Sequence, residues 1–213
     1  MSKVCDFDLM IFDFDGTLAN SAGWFRSILP DIAKRFGFRC PDAEELEELR
    51  HKPPREVMRI LRIPQWKLVL IAVHVRKRAA KAEAFPLFEG VPDMLRELAA
   101  KGVKIAVVSS NAEVNVRRAL GPELSALVSG WSCGAGMFGK ARHFRDVLKK
   151  VGVQPSRALA VGDEIRDIEA ARDVGLKTAA VAWGFGMKPA LEAERPDYCF
   201  ETVGAFRGFV GGV

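Results

Sequence analysis

The sequence predicts an α/β protein built on a doubly wound parallel sheet, with a helical unit inserted into the chain. Two observations support this fold class: short apolar segments alternate with helical patterns, and one internal region has helical patterns without strands. The apolar segments span residues 7–12, 103–108, 158–161 and 178–181. Because polar residues hardly interrupt them, they are typical of strands covered on both faces, as in a parallel sheet.

Three helical patterns lie between these strands, over residues 92–100, 141–151 and 165–174. A glycine follows each pattern closely, and glycine readily adopts the left-handed conformation that ends a helix. Strands joined by helices of this length form right-handed crossovers, which build a doubly wound sheet. We therefore expect a ligand site at the carboxyl ends of the strands.

Residues 21–85 interrupt the alternation and are predicted to form the helical insert, so that the α/β core comprises residues 1–20 and 86–213. Between residues 50 and 81 the insert carries ten Lys and Arg side chains and a single acid, Glu56. This basic stretch is either a solvated helix face or a source of positive potential for an anion, and the sequence leaves both interpretations open.

Composition narrows the class of protein. With 49% hydrophobic and 28% charged residues the chain is not disordered, and a net charge of +5 favours anionic partners without naming one. The four cysteines are far apart and form no C-x-x-C pair, so neither a disulfide framework nor a zinc site is expected. No apolar run approaches the roughly 20 residues of a membrane span, and the first residues do not resemble a signal peptide. We expect a cytoplasmic monomer or homodimer without a membrane partner.

Polar side chains follow the first two predicted strands. The segment D-F-D-G-T at residues 13–17 places Asp13 and Asp15 where the first strand ends and the chain turns, although acids and glycine are also common turn formers. Ser109 and Ser110 end the second strand just before a helix. A hydroxyl at this position either caps the helix or faces an anion together with free backbone N–H groups.

A lysine and a second acid pair follow. Lys140 begins a helix, where the helix dipole repels a cation; a buried anion nearby would explain it, and an exposed lysine is the alternative. Asp163 and Asp167 follow the third strand. Gathering them with Asp13 and Asp15 would bring like charges together, which favours a divalent cation. Oxygen ligands without paired His or Cys favour Mg²⁺.

The order of these motifs resembles the haloacid dehalogenase superfamily, in particular phosphoglycolate phosphatase-like members with a helical cap inserted after the first motif. In that family the motifs are D-x-D-G-T, a Ser or Thr ending a strand, a Lys and G-D-x-x-x-D. Here they correspond to residues 13–17, Ser109, Lys140 and residues 162–167. Four motifs in this order are a specific signal. The resemblance implies a Rossmann-like core and a phosphoric monoester hydrolase.

The resemblance also implies roles in catalysis. Asp13 would attack phosphorus and form an aspartyl-phosphate. Asp15 would protonate the leaving oxygen and then activate water. Mg²⁺ would be bound by the Asp13 carboxylate, the Asp15 carbonyl and Asp163.

Further residues are assigned to binding and orientation by the same resemblance. Asp167 and Glu164 would orient metal-bound water or the lysine. Arg50 lies in a loop similar to the substrate-specificity loop of the family's cap and would contact the substrate, a small phosphorylated metabolite. The phosphoryl oxygens would be held by Ser109, Ser110 and Lys140.

Three alternatives stay open. A sugar-phosphate mutase of the β-phosphoglucomutase type shares every core motif and differs in what its cap holds. A phospho-accepting receiver module uses similar residues but places its lysine after all its acids, whereas Asp163 and Asp167 follow Lys140 here. A nucleic-acid-binding domain would use the basic stretch of residues 50–81, but no recognisable binding motif is present and no specific nucleic acid partner is expected.

Overall fold

A computed structural model describes residues 7–49, 52, 54–82, 85–134 and 139–211. Its strands are β1 (Leu9–Phe12), β2 (Lys104–Ser109), β3 (Val128–Cys133), β4 (Ala158–Gly162), β5 (Lys177–Val181) and β6 (Tyr198–Phe200). They form one parallel sheet in the order β3-β2-β1-β4-β5-β6. The predicted doubly wound α/β fold is confirmed.

The helices fall into two groups along the chain. Those before β2 are α1 (Ala22–Phe36), α2 (Ala43–Leu49), α3 (Pro54–Ile60), α4 (Lys67–Ala79) and α5 (Val91–Ala100). Those after β2 are α6 (Glu113–Ala126), α7 (Lys140–Val151), α8 (Ile165–Arg172), α9 (Lys188–Ala193) and α10 (Val203–Gly211). Helix α6 is broken at Gly121, which has a φ of 70° and is followed by Pro122.

The central strand β1 shows why the sheet is buried on both faces. Leu9 and Ile11 belong to a core cluster that includes Phe144 of α7. Phe12 points to the opposite face, where its ring meets that of Phe206 in α10 edge to face, with centroids 6.0 Å apart. All four residues of β1 are buried. A strand between two helix layers has no polar face, and this accounts for its continuous apolar sequence.

The apolar pattern did not predict the two edge strands. Strand β3 contains serines and a glycine, and its second half is only partly buried, so it lacks the apolar run of an inner strand. At Gly130 a Cβ atom would lie 2.7 Å from Cγ2 of Val151, so α7 packs closely over this strand. Strand β6 has three residues. Element ends also shift: the first strand begins at Leu9 and α8 ends at Arg172.

The chain divides into two compact units, Met1–Asn20 with Ala84–Val213, and Ser21–Glu83. In the described part of the second unit all regular structure is helical. Helix α1 buries one face there and ends at Gly37, which adopts the left-handed conformation with a φ of 63°. Helix α4 packs against α1. None of the helices in the described ranges is long and apolar enough to cross a bilayer.

Candidate active site

Three neighbouring strands bring the predicted motifs to one edge of the sheet. Asp13 directly follows β1, and its backbone N–H donates to the Val161 carbonyl in β4 at 2.9 Å. Asp163 follows β4, and Ser109 is the last residue of β2. The strand order reverses direction between β1 and β4, and doubly wound sheets bind ligands at such a switch point.

Three buried carboxylates meet at this point. Oxygen atoms of Asp13, Asp163 and Asp167 all lie within 4.8 Å of one another. Their residues are 5%, 0% and 3% exposed. Burial raises the pKa of Asp13 from 3.8 to about 7, although Lys140 opposes the change. The pKa of Asp163 is raised by burial and then by the charge of Asp13. In both residues burial is the largest cause, and it disfavours the ionised carboxylate.

Lys140 supplies positive charge to this cluster. Its Nζ lies 2.9 Å from Asp13 Oδ2 and also donates to Asp167 Oδ1. Burial lowers the pKa of Lys140, but Asp13 and Asp167 outweigh burial and the net change is upward. Two carboxylates therefore compensate for the unfavourable position of a lysine at the start of α7. Three carboxylates and one ammonium leave two formal negative charges, the charge that a divalent cation would neutralise.

Asp163 is fixed by two loops. The Thr17 hydroxyl donates to Asp163 Oδ1 at 2.9 Å, and the Phe185 backbone N–H donates to Oδ2 at 2.8 Å. A Cβ atom at Gly16 would lie 2.1 Å from Oδ2, and one at Gly184 would lie 2.4 Å from it. Only glycine fits at these close approaches, so Gly16 and Gly184 let both loops come close enough to Asp163 for these hydrogen bonds.

Asp15 lies apart from this cluster in a different set of hydrogen bonds. The Asn111 Nδ2 donates to Asp15 Oδ2 at 3.1 Å, while Asn111 Oδ1 accepts the Ala112 N–H at 2.9 Å. These two contacts fix which end of the Asn111 amide faces the aspartate. The buried Asn115 then donates its Nδ2 to Asn111 Oδ1 at 2.8 Å. Asn111 thus holds the carboxyl of Asp15, and Asn115 holds Asn111.

The serines at the end of β2 lie beside this network. Ser109 is 1% exposed, and its Oγ accepts the Asn111 backbone N–H at 3.0 Å. Ser110 is partly buried. The hydroxyl of Ser109 therefore stabilises the turn into α6, as a capping residue would, at the edge of the sheet that carries Asp13. Arg50, the residue assigned to the specificity loop, lies outside the described residues.

Glu164 and Asp167 form a capping box at the start of α8. The Glu164 N–H donates to Asp167 Oδ2 at 3.1 Å, and the Glu164 side chain accepts the N–H of Asp167 in return. Glu164 also forms an ion pair with Arg166. Asp167 therefore has two roles, because its other oxygen binds Lys140. Glu164 makes its described contacts with α8 itself and has no described hydrogen bond to the lysine.

Comparison with known proteins decides the family. The family model for haloacid dehalogenase-like hydrolases matches residues 10–181. The chain belongs to the haloacid dehalogenase-like hydrolases. It is 34% identical over 195 residues to a phosphoglycolate phosphatase of Synechococcus elongatus, covering 91% of this chain and 92% of that protein. The predicted family is thus confirmed, and so is the enzyme class: this hydrolase is a phosphatase similar to phosphoglycolate phosphatases.

One further protein and one solved structure are also similar to this hydrolase. The chain is 29% identical over 183 residues to the tyrosine-protein kinase PtkA of Mycobacterium tuberculosis, covering 84% of this chain and 63% of that protein. The solved structure of a haloacid dehalogenase-like family protein from Streptococcus pneumoniae superposes with a TM-score of 0.75. It is 21% identical, covers 93% of this chain and 95% of that one, and shares the fold.

Several contacts of this hydrolase were not predicted from its sequence. Asn115 carries no motif; its position four residues after Asn111, which lies just before α6, is the one available signal. In the loop after β5, Trp183 Nε1 donates to the Thr17 carbonyl at 3.0 Å. Phe185 lies between Gly184 and Gly186, and these glycines are the signal in the sequence that the loop closely approaches another backbone or side chain.

Proposed function

We propose that this hydrolase is a Mg²⁺-dependent phosphatase that cleaves a small organic phosphate monoester through an aspartyl-phosphate on Asp13. The observation that carries the proposal is the buried cluster of three carboxylates and one lysine at the switch point of the sheet. The relative named phosphoglycolate phosphatase supports a small phosphorylated carboxylic acid as the substrate. We place the reaction in the cytoplasm, by a monomer or homodimer.

The donor set fits Mg²⁺. Carboxylate oxygens are ligands that this hard cation prefers, and the cluster carries an excess of two negative charges. Asp13 and Asp163 would hold the ion with the backbone carbonyl of Asp15, and Asp167 lies beside them. When bound, Mg²⁺ would neutralise charge on the transferring phosphoryl group and keep the neighbouring carboxylates ionised.

Asp13 is oriented for nucleophilic attack. Its Oδ1 accepts the Phe14 backbone N–H at 2.7 Å, and its Oδ2 faces Lys140. The carboxylate attacks phosphorus, a new P–O bond forms on Asp13, and the bond between phosphorus and the ester oxygen breaks. Water then attacks the aspartyl-phosphate and releases inorganic phosphate. Dividing the displacement into two steps avoids direct attack of water on the dianionic ester.

Asp15 is the general acid and then the general base. It gives a proton to the leaving ester oxygen in the first step and takes one from the attacking water in the second. Asn111 orients this carboxyl, and Asn115 supports Asn111 from inside the fold. Ser109, Ser110 and Lys140 hold the phosphoryl oxygens.

We assign the inserted residues 21–85 the role of a cap that gives specificity, with Arg50 as a substrate contact. A lid of this kind excludes water from the aspartyl-phosphate except for the reacting molecule. The large number of cations in this insert agrees with an anionic substrate.

The test is phosphate release from a panel of phosphorylated metabolites with and without Mg²⁺. Wild type is expected to act on small monoesters only with the metal, and Asp13→Asn is expected to lose turnover while keeping its circular dichroism spectrum. Asp146→Asn, which removes an exposed carboxylate of the same unit, is the matched control and should be fully active. Near-normal turnover of Asp13→Asn would refute the proposal. Interconversion of sugar phosphate isomers without net phosphate release would assign the mutase reaction instead.

A further inference from the structure

A basic depression lies on the inserted unit, formed entirely by residues outside the catalytic cluster. Its volume is about 460 Å³, and helices α1 and α4 supply its walls. The residues that line it are Asp31, Lys34, Arg35, His74 and Arg78.

The charges of this depression are unequal. Lys34, Arg35 and Arg78 are cationic side chains, and His74 adds a fourth basic group. Asp31 is the one carboxylate among the described lining residues, and its Oδ2 lies 3.0 Å from Arg78 Nη1. One acid therefore compensates one guanidinium and leaves the cations from α1 without a carboxylate in the lining.

The walls are held in place by helix packing. The His74 ring meets the Phe36 ring edge to face, with centroids 5.5 Å apart and an interplanar angle of 72°. Lys67 Nζ donates to the Phe36 carbonyl, which ties the end of α1 to the start of α4. Because both helices are fixed in this way, the basic groups converge on the depression before any ligand arrives.

His74 reports the uncompensated positive potential. Burial lowers its pKa, and the charges of Arg35, Arg78 and Lys77 lower it further. A histidine facing balanced charge would show no such electrostatic contribution. The direction of this shift is the one that an anion in the depression would reverse.

We propose that this depression binds a small, multiply charged phosphate compound. The depression is open to solvent and, at about 460 Å³, is large enough for a small anion. The guanidinium of Arg35 offers paired donors that match phosphate oxygens, and Lys34 adds a point charge, while Arg78 is paired with Asp31. None of its lining residues belongs to the catalytic cluster around Asp13.

The experiment uses the histidine as a local probe. The protein has three histidines, so the ring signals of His51, His74 and His143 are readily assigned by NMR. Each is titrated with pH in buffer containing a chelator, alone and with saturating pyrophosphate. Bound pyrophosphate is expected to raise the pKa of His74 by about one unit, since several negative charges come within a few ångströms. His143, in the other unit, should not move, and inorganic phosphate should act more weakly.

Matched double variants separate the site from general charge effects. Lys34→Gln with Arg35→Gln removes two exposed cations from the last turn of α1 and should abolish the pyrophosphate-induced shift. Lys149→Gln with Lys150→Gln removes two exposed cations from the last turn of α7 and should leave it intact. An equal shift with chloride at the same ionic strength, or loss of the shift in both variants, would overturn the proposal. If pyrophosphate does not shift the pKa of His74 in the wild-type protein, the proposal is wrong and these cations only stabilise the ends of their helices. Phosphatase activity is assayed separately, so failure here leaves the catalytic proposal untouched.

Discussion

Without a bound cation, the stability of this hydrolase should depend on pH through Asp13. In the absence of a cation, burial raises the pKa of this carboxyl in the folded protein from 3.8 to about 7. An acid with a raised folded pKa binds its proton more tightly in the folded state than in the unfolded state. Its contribution to stability is therefore fully present below about pH 4 and is lost as pH rises to about 7.

The magnitude follows from the size of the shift. About three pKa units at 1.36 kcal/mol each give at most about 4 kcal/mol of unfolding free energy, lost between pH 4 and pH 7. This is a large share of the roughly 5–15 kcal/mol that stabilises a typical domain. Mg²⁺ bound beside Asp13 would favour the ionised form and remove the loss.

The assay compares urea unfolding of wild type and Asp13→Asn across this pH range with a chelator present. Asparagine does not titrate, so the wild-type stability relative to the variant should fall as pH rises, by up to about 4 kcal/mol. Asp146→Asn, at an exposed position, should follow the wild type. Millimolar Mg²⁺ should flatten the wild-type curve. If the unfolding free energies of wild type and Asp13→Asn change with pH in parallel when chelator is present, the pKa of Asp13 is not raised in the folded protein and the reasoning is refuted.

Three further substitutions test the site and the core. Asn115→Leu should lower kcat about tenfold, because Asn111 Oδ1 loses the hydrogen bond that Asn115 donates. Thermal stability should not fall, because the substitution also removes the buried Asn115 Oδ1, which has no hydrogen-bond partner among the described residues. An unchanged kcat would contradict the role assigned to Asn115. Gly184→Ala should weaken Mg²⁺ activation roughly 10–100-fold by displacing Asp163, whereas Gly208→Ala, at an open position, should not. Phe206→Ala, in the core beside Phe12, should cost about 3–5 kcal/mol in urea unfolding; a smaller loss would indicate that the core collapses around the gap.

The inner strands and the motif residues were predictable because each has a local signature. Strands β1 and β4 are buried on both faces and are therefore apolar throughout. The position of Lys140 at a helix start left open whether it is exposed or lies near a buried anion, and its ion pairs with Asp13 and Asp167 explain that position.

The remaining features depend on contacts between distant segments. Strand β6 has three partly buried residues and gains its place by pairing with β5, so its sequence alone carries little pattern. The sequence around Asn115 is that of an ordinary helix. Its role depends on Asn111, whose orientation is fixed by Asp15, a residue 100 positions before Asn115. The contact of Phe185 with Asp163 likewise arises from the fold and not from local spacing.

The central claim is that Asp13 carries the phosphoryl group during turnover. Enzyme mixed with a cleaved monoester and Mg²⁺ is quenched in acid within a turnover, digested, and the mass of the peptide containing Asp13 is measured. The wild-type peptide should gain one phosphoryl group at Asp13, and hydroxylamine should remove it, as expected for an acyl phosphate. A phosphoryl group on any other residue, or rapid hydrolysis by an enzyme whose Asp13 peptide is never modified, would contradict the mechanism.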